Sequence, residues 1–356
     1  MKALIAMSGG VDSSVAACLM KEQGYDCIGV TMKLFHNEDI GLSRGHTCCS
    51  LEDVEDARSV AHKLQMPYYV FNFAAQFRES VIEPFVASYR NGETPNPCIE
   101  CNRYLKFEKL FQRAKELGCD YVVTGHYARI AQDPASGRYQ LKKALDQTKD
   151  QSYMLYSMTQ EQLAYTRFPL GTLTKAETRK IAEAHDFINA RKHDSQDICF
   201  VPDGDYAAFI ERYTGEVCKP GRFVDTAGNP IGTHRGIIRY TVGQHRKLGA
   251  DFPEAMYVCR ICPENDTVVL GKQADLFSRE VTVKAFHWIS GEAPRAPIRC
   301  KAKIRYRQQE QGAVAAVQAD GCVQLLFDEP QRAATPGQAA VLYDGDVVLG
   351  GGTICC

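Results

Sequence analysis

Two glycines, three serine hydroxyls and one carboxylate lie within seven residues near the start of the chain. Residues 8–14 read Ser-Gly-Gly-Val-Asp-Ser-Ser, between an apolar run and a predicted helix. Glycines at such a turn allow backbone conformations that side chains forbid, and the N–H groups of the first helical turn then point at an anion. Asp12 lies where it could hold Mg²⁺ against phosphates. The segment therefore predicts a phosphate-binding loop.

This loop is not a Walker A motif, because it lacks the spacing and the lysine of GxxxxGKS/T. It resembles the PP-loop of the ATP pyrophosphatases, enzymes that cleave ATP between the α- and β-phosphates. The resemblance implies adenylation of a substrate oxygen, release of pyrophosphate and displacement of AMP by a nucleophile. A glycine turn with a purely structural role is the alternative, and the hydroxyls and the carboxylate favour the functional interpretation.

Two cysteine segments could supply a nucleophile. Residues 94–102 read Thr-Pro-Asn-Pro-Cys-Ile-Glu-Cys-Asn, a stiff loop before a predicted helix. Cys101 would lie near the start of that helix, where the dipole is expected to lower the pKa of its thiol. Cys98 and Cys101 form a CxxC motif, which redox pairs and half of a zinc site share. Cys199 follows the basic residues 191–193, which would favour its thiolate, although a cysteine between Ile and Phe is more often a buried strand residue.

Strands and helices alternate over about the first 200 residues, which predicts a doubly wound parallel sheet of the α/β class. Such sheets bind ligands at the carboxyl ends of their strands, where the loop 8–14, Met32, Gly125 and His126 fall. The expected strands are 3–7, 27–34, 68–73 and 121–124, and the expected helices include 13–23, 75–90 and 102–117.

The alternation of strands and helices ends after residue 205, where residues typical of turns cluster. Six short expected strands follow and predict a small β-barrel: 281–286, 298–306, 313–318, 323–327, 339–343 and 346–350. We therefore predict an ATP-binding and catalytic domain at 1–205, a small central domain at 206–279 and a C-terminal β-barrel at 280–356.

Basic residues alternate with neutral ones in the second of these barrel strands. On a strand, the alternation would place the four cations on one face about 7 Å apart, close to the spacing of RNA phosphates. An ordinary solvated face is the alternative, since the net charge of the whole chain is −1. The four cations are Lys301, Lys303, Arg305 and Arg307.

Composition favours a cytoplasmic protein. The chain contains 15 cysteines, which the reducing cytosol would keep as thiols for catalysis, metal binding or packing. No apolar run approaches the roughly 20 residues of a membrane span. The apolar stretch at the N-terminus is too short for the core of a signal peptide.

Eight segments, taken together and in this order, resemble the tRNA-specific 2-thiouridylases over the full chain. They are SGGVDSS at 8–14, TPNPCIECN at 94–102, TGHYAR at 124–129, KDQSYML at 149–155, DSQDICF at 194–200, YTVGQHRKLG at 240–249, IRYRQ at 304–308 and TPGQ at 335–338. The resemblance implies a PP-loop domain of the adenine nucleotide alpha hydrolase type and sulfur transfer to C2 of the wobble uridine, position 34 of tRNA. It also implies an upstream persulfide donor or relay protein.

The resemblance assigns two sets of residues to this reaction. Uridine O2 would attack the α-phosphate, the terminal sulfur of a Cys199 persulfide would reach C2, and Cys101 would be its partner. A Cys101–Cys199 disulfide would then form and be reduced. ATP and Mg²⁺ would be held by Ala6, Met7, Ser8, Gly9, Gly10, Val11, Asp12, Ser13, Met32 and Gly125, with Asp12 also catalytic.

Position 98 departs from the most familiar family pattern, in which it can be Asp. Cys98, Cys101 and Cys199 could then hold a 4Fe–4S cluster with one iron open to sulfide. The persulfide route and the cluster route use the same residues, and the sequence does not separate them. The plain interpretation of Cys98 is a thiol with no role.

The resemblance also implies that the central domain 206–279 contacts tRNA, and it assigns particular contacts to residues of the other two domains. Asn96, Pro97 and Cys98 would meet the target base, which must be flipped out to expose C2. The remaining implied contacts are His126, Lys149, Asp150, Gln151, Arg305, Tyr306 and Gln338. Two hypotheses compete with this one. The chain could be another PP-loop ligase, or an RNA- or iron–sulfur-binding protein without activity. Neither needs both the phosphate loop and two distant reactive cysteines.

Overall fold

A five-stranded parallel sheet forms the centre of the N-terminal part. The computed structural model describes residues 1–36, 51–193 and 198–355. The strands are β1 (Lys2–Ala6), β2 (Asp26–Lys33), β3 (Tyr68–Asn72), β4 (Tyr121–Val123) and β7 (Thr166–Arg167). They lie in the order β3-β2-β1-β4-β7.

Helices cover both faces of this sheet, as the doubly wound prediction requires. The helices are α1 (Val11–Glu22), α2 (Leu51–Lys63), α3 (Ala74–Phe77), α4 (Glu83–Arg90), α5 (Pro97–Glu100), α6 (Leu110–Glu116), α7 (Gln160–Ala164) and α8 (Lys175–Ala184). Because side chains of a strand alternate between faces, Ala3 and Ile5 pack with α1, α2 and α8, whereas Leu4 packs with α4 and α6 on the opposite face. The predicted fold class is confirmed.

The helix that bears Cys101 begins earlier than the sequence predicts. Asn96 caps it by accepting a hydrogen bond from the backbone N–H of Cys98 at 3.2 Å, and Pro97 occupies its first turn. A π-helical stretch, Cys101–Lys109, then joins α5 to α6. Such stretches are frequent at functional sites.

The central part is a four-stranded sheet in the order β10-β11-β8-β9, preceded by α9 (Tyr206–Thr214). Phe223 and Val258 from this sheet lie in the same apolar cluster as Leu4 of the parallel sheet. The two sheets therefore share one core. The strands are β8 (Gly221–Val224), β9 (Pro230–His234), β10 (Tyr257–Cys262) and β11 (Thr267–Gly271).

The C-terminal part closes into a barrel, because β12 pairs with both β15 and β17. This confirms the predicted barrel. Its strands are β12 (Phe277–Trp288), β13 (Ile298–Lys303), β14 (Gln311–Val317), β15 (Val323–Arg332), β16 (Ala339–Asp344) and β17 (Val347–Ile354).

Two details of the barrel region differ from the prediction. Strand β13 ends at Lys303, and Arg305 and Arg307 lie in the turn that follows. The predicted four-cation stripe on one strand face is therefore wrong. A hairpin of β5 (Ala128–Gln132) and β6 (Tyr139–Lys143) also leaves the parallel sheet and pairs with β17.

Candidate active site

The loop after β1 is shaped by its own hydroxyls and by glycine. Ser13 Oγ accepts from the backbone N–H of Ser8 at 3.2 Å and donates to the carbonyl of Gly10 at 2.9 Å. Gly9 has φ +74°, and a Cβ there would lie 2.4 Å from the carbonyl oxygen of Asp53. Only glycine fits at this position. The loop therefore forms the tight turn before α1 that the sequence predicts.

Asn189 fastens a distant turn to this loop. Its Nδ2 donates to the carbonyl of Gly9 and to Ser14 Oγ, each at 2.9 Å. Its Oδ1 is buried and has no hydrogen-bond partner among the described residues. A buried acceptor of this kind calls for a donor, and a bound ligand beside the loop could supply it.

Asp12 is held by two side chains that the sequence analysis missed. Lys175 Nζ, at the start of α8, lies 2.7 and 2.8 Å from the two carboxylate oxygens, and Tyr127 OH donates to Oδ1 at 3.0 Å. Tyr127 lies within the segment 124–129 that the sequence analysis singled out. The capping box between Thr174 and Glu177 would have located the start of α8, but not the pairing of Lys175 with Asp12.

Gly125 lies directly against the phosphate loop at the end of β4. A Cβ on Gly125 would lie 2.7 Å from both the carbonyl carbon of Asp12 and the backbone nitrogen of Ser13. Any larger residue would therefore push β4 away from the first turn of α1. The predicted placement of Gly125 beside the loop agrees with this contact.

The neighbouring His126 connects β4 to the cysteine helix. Its Nδ1 lies 2.7 Å from Thr124 Oγ1, and its Nε2 lies 3.5 Å from Lys106 Nζ. Burial and the nearby Lys106 ammonium hold the pKa of His126 well below its usual range. The imidazole is therefore neutral at physiological pH.

Cys101 is not activated in the way that the sequence suggests. Burial raises the pKa of its thiol to about 11, against an opposing effect of the Lys106 ammonium. The expected lowering by a helix N-terminus is wrong, because Cys101 begins the π-helical stretch and a full turn precedes it. Cys101 is therefore a protonated thiol near pH 7.

The three cysteines that could take part in sulfur transfer differ in their exposure to solvent. Cys98 is exposed, whereas Cys101 and Cys199 are half-buried and pack against one apolar cluster. Phe200 anchors the Cys199 segment, with its ring centroid 5.2 Å from that of Phe85. Residues 194–197 of the predicted DSQDICF motif lie outside the described residues.

Within the basic stretch before Cys199, which the sequence predicts would favour the Cys199 thiolate, Lys192 forms ion pairs with carboxylates instead. Lys192 Nζ lies 2.7 Å from Asp53 Oδ1 and 2.6 Å from Asp56 Oδ2. The Lys192 charge is thus engaged by two carboxylates on α2. It fastens the turn after Asn189 to the helix beside the phosphate loop.

Most of the residues to which the resemblance assigns tRNA contacts take part in internal hydrogen bonds. Gln338 Nε2 donates to the carbonyl of Thr94 at 2.7 Å, and Tyr306 OH donates to that of Asp150 at 3.2 Å. Arg305 Nη2 donates to the carbonyl of Ala333 at 2.9 Å and to Thr335 Oγ1 at 3.1 Å. The bonds of Gln338 and Tyr306 join the barrel to the segments around Cys98 and Asp150, whereas those of Arg305 stay within the barrel.

Asp150 and Gln151 are likewise held inside the protein. Asp150 is buried, and its carboxylate accepts from the backbone of Ala144 and from the Ser152 hydroxyl. Gln151 Oε1 accepts from the backbone N–H of Tyr127 at 2.9 Å. Lys149 is half-buried, and Asn96 lies beside Met154. These bonds fix the turn 149–151 against the segment 124–129.

Family models match the three parts of the chain in order. They are the tRNA methyl transferase HUP domain at residues 1–203, the tRNA methyl transferase PRC-barrel domain at 207–272 and the aminomethyltransferase beta-barrel domain at 278–354. The first alone covers more than half of the chain.

Relatives similar over the whole length decide the family. The tRNA-specific 2-thiouridylase MnmA of Acetivibrio thermocellus is 52% identical, covering 99% of each chain. The proteins of the same name from Clostridioides difficile and Moorella thermoacetica are 49% and 50% identical, each covering 99% of this chain and 98% of theirs. This chain belongs to the tRNA-specific 2-thiouridylase family.

The family resemblance that the eight sequence motifs predict is thereby confirmed. The solved NMN synthetase of Francisella tularensis is 17% identical, with 60% of this chain and 77% of that chain covered and a TM-score of 0.33. No helix in the described part of the chain is long and apolar enough to cross a membrane.

The residues around the loop suit the ATP that PP-loop enzymes of this kind use. The turn at Gly9 leaves the N–H groups of the first turn of α1 for phosphate. Lys175 adds a cation, and Asp12 adds the hard oxygen ligands that Mg²⁺ prefers. Asn189 Oδ1, which no described residue hydrogen-bonds, adds an acceptor beside the loop.

Proposed function

We propose that this chain transfers sulfur to C2 of the wobble uridine of tRNA in a reaction that consumes ATP. The identity of about half of its residues to relatives named tRNA-specific 2-thiouridylases supports the substrate class. The proposed chemistry is supported by a structural connection between the phosphate loop and the helix of Cys101. Gly125 abuts the phosphate loop, and the adjacent His126 lies beside Lys106 on the helix of Cys101.

The first step we propose is adenylation. Uridine O2 attacks the α-phosphorus of ATP held by residues 6–13, Met32 and Gly125, and pyrophosphate leaves. Bound Mg²⁺ would neutralise charge on the phosphates. The N–H groups of α1 and the Lys175 ammonium, which lies at Asp12 in the structure, would hold the departing pyrophosphate. AMP then becomes the leaving group at C2.

The second step we propose is sulfur transfer. The terminal sulfur of a Cys199 persulfide attacks C2, and AMP departs with the original oxygen. Attack of Cys101 on the inner sulfur of Cys199 breaks the S–S bond and leaves the outer sulfur on C2 as 2-thiouridine. The same attack forms the Cys101–Cys199 disulfide, which an external dithiol reduces. The location of both residues against one apolar cluster supports this pairing. Cys101 must first lose its proton, and Lys106 is the cation that favours this loss.

An assay of thiolation tests the proposal. Protein, ATP, Mg²⁺, a persulfide donor and unmodified tRNA are incubated, and the digested tRNA is analysed for 2-thiouridine. We expect 2-thiouridine from the wild type, none from Cys199→Ser, and continued tRNA-dependent pyrophosphate release in that variant. Cys262→Ser, a half-buried cysteine in the central sheet, is the matched control. Absence of thiolated nucleoside despite normal tRNA binding would contradict the proposal.

Cys98 leaves a second route to the same product. It lies one helical turn before Cys101, and its charge influences the pKa of that thiol. If sulfide came from an iron–sulfur cluster, anaerobically purified protein would contain stoichiometric iron that Cys98→Ala loses. We propose the persulfide route, for which Cys98→Ala retains thiolation and the wild type contains no stoichiometric iron.

We further propose that the functional units are 1–205, 206–279 and 280–356. The catalytic steps belong to the first, and the other two would bind tRNA. Gln338 of the barrel donates a hydrogen bond to the Thr94 carbonyl. This bond supports a second role for the barrel, which is to hold the loop before Cys98.

A further inference from the structure

Helices α1 and α8 lie side by side and contact each other at both ends. At the phosphate-loop end, Lys175 of α8 binds Asp12 of α1. At the far end, His185, the residue after α8, lies against Glu22, the last residue of α1. Cys18 lies one turn before Glu22 on the same face of α1, as the i, i+4 spacing dictates. Three different metal-ligating groups therefore meet away from the proposed active site.

The donor atoms of these groups are spaced like the ligands of one metal ion. His185 Nε2 lies 3.2 Å from Glu22 Oε1, and Cys18 Sγ lies 3.8 Å from the same oxygen. All three donor atoms lie within 4.8 Å of one another. A tetrahedral zinc ion, with Zn–S about 2.3 Å and Zn–N and Zn–O about 2.0–2.1 Å, separates its ligand atoms by roughly 3.3–3.6 Å. Small shifts of exposed side chains would complete the site.

The surroundings favour a cation at this place. Both α1 and α8 end here, so the negative ends of two helix dipoles converge on the three side chains. No basic residue occupies the last turn of α8, and Lys21 is the basic residue in the last turn of α1. Cys18 is buried beneath Glu22 and His185, whose side chains are partly exposed, so an ion can enter from solvent.

We propose that Cys18, Glu22 and His185 bind a thiophilic divalent cation, with Zn²⁺ the best match to a sulfur, nitrogen and oxygen donor set. Binding releases the Cys18 thiol proton to solvent, and a water molecule completes the tetrahedron. The bound ion joins the far ends of α1 and α8. It thereby stabilises the pairing of Lys175 with Asp12 at the opposite ends of the same helices. This proposal does not depend on the proposed sulfur transfer.

Cobalt(II) is the probe for the test, because a bound thiolate gives a charge-transfer absorption and a tetrahedral site gives intense visible bands. The protein carries Cys98→Ser, Cys101→Ser and Cys199→Ser, which removes the competing thiols of the candidate active site. We expect one equivalent of tetrahedral Co²⁺ and its displacement by Zn²⁺. His185→Gln should weaken Co²⁺ binding at least about 100-fold, more than loss of an outer-sphere partner of a metal ligand usually does.

Cys18→Ser should abolish the charge-transfer band, whereas Cys27→Ser, which removes a comparably buried thiol on β2, should leave it unchanged. A Co²⁺ spectrum that Cys18→Ser does not alter, or no tetrahedral band in the background protein, would overturn the proposal. The His185–Glu22 contact would then be an ordinary contact between surface side chains.

Thermal unfolding gives a second readout that does not need the buried substitution. An ion that binds the folded chain raises its Tm with concentration. We expect Zn²⁺ to raise the Tm of the background protein, and His185→Gln, at a partly exposed residue, to lose that rise while folding normally. An equal rise in the two proteins would refute a site at His185.

Discussion

Asp12 shows how the structure prepares the phosphate loop before any nucleotide is bound. Both of its carboxylate oxygens accept from Lys175, and Tyr127 adds a third hydrogen bond. Any Mg²⁺ at Asp12 must therefore compete with an ammonium for the same oxygens. Because phosphates carry more negative charge than one carboxylate, we expect Lys175 to transfer to them when ATP binds.

Substitution Lys175→Ala tests this role. Removing one preorganised donor to a developing anion typically costs about 100- to 1000-fold in rate, and we expect a loss of this size in tRNA-dependent pyrophosphate release. Lys180→Ala, at an exposed position of the same helix, is the matched control and should release pyrophosphate normally. Release at the wild-type rate by folded Lys175→Ala would exclude Lys175 from the first step.

The thiol of Cys101 makes a second prediction at the scale of one residue. Its pKa is raised by burial to about 11, so the thiolate is scarce at neutral pH and grows as pH rises towards that value. Alkylation of Cys101, followed by mass spectrometry, should therefore accelerate about tenfold for each unit of pH between 7 and 9 without levelling off. Lys106→Met should slow it further, because the Lys106 ammonium lowers this pKa. A plateau below pH 8.5 would mean that Cys101 is activated in the resting protein.

At the scale of elements, the loop before Cys98 is held from two sides. The backbone N–H of Thr94 donates to the carbonyl of Pro336, and its own carbonyl accepts from Gln338, both in the barrel. Its hydroxyl lies 3.2 Å from that of Thr241 in the central part. The cysteine helix is thus positioned by all three parts of the chain.

Gln338→Ala distinguishes positioning from tRNA contact. One lost hydrogen bond costs about 1 kcal/mol of stability, and a loosened loop should lower kcat for thiolation while the KM for tRNA changes little. A residue that mainly contacts tRNA would raise KM instead, with kcat retained. Gln318→Ala, at an exposed barrel turn, is the control and should alter neither constant.

Local patterns predicted the elements well, and long-range contacts explain where they failed. Glycine and apolar runs predicted the phosphate loop and the parallel strands, because turn chemistry and burial act over a few residues. The pairing of Lys175 with Asp12 joins residues 163 positions apart, and no local pattern encodes it. The burial of Cys101 and the transfer of the hairpin Ala128–Lys143 to the barrel likewise depend on packing partners remote in sequence.

At the scale of the whole molecule, the N-terminal and central parts share one apolar cluster. Leu4 of β1 and Phe223 of β8 are both fully buried within it, although the two strands belong to different sheets. One side of the barrel has a separate cluster that includes Val283, whereas Val341 of β16 shares another cluster with Phe107. The first two parts should therefore unfold together, and the barrel core around Val283 should be less sensitive to damage at their junction.

Phe223→Ala tests this coupling. Loss of a buried phenyl ring costs about 3–5 kcal/mol, and we expect faster amide hydrogen exchange by similar factors in β1 and β11, because unfolding of either sheet exposes the shared core. Val283→Ala in the barrel core is the matched substitution and should accelerate exchange in β12 and β15 more than in β1. If Phe223→Ala accelerated exchange in β11 but left β1 unchanged, the central part would unfold on its own. The shared cluster would then be a contact between two independent cores.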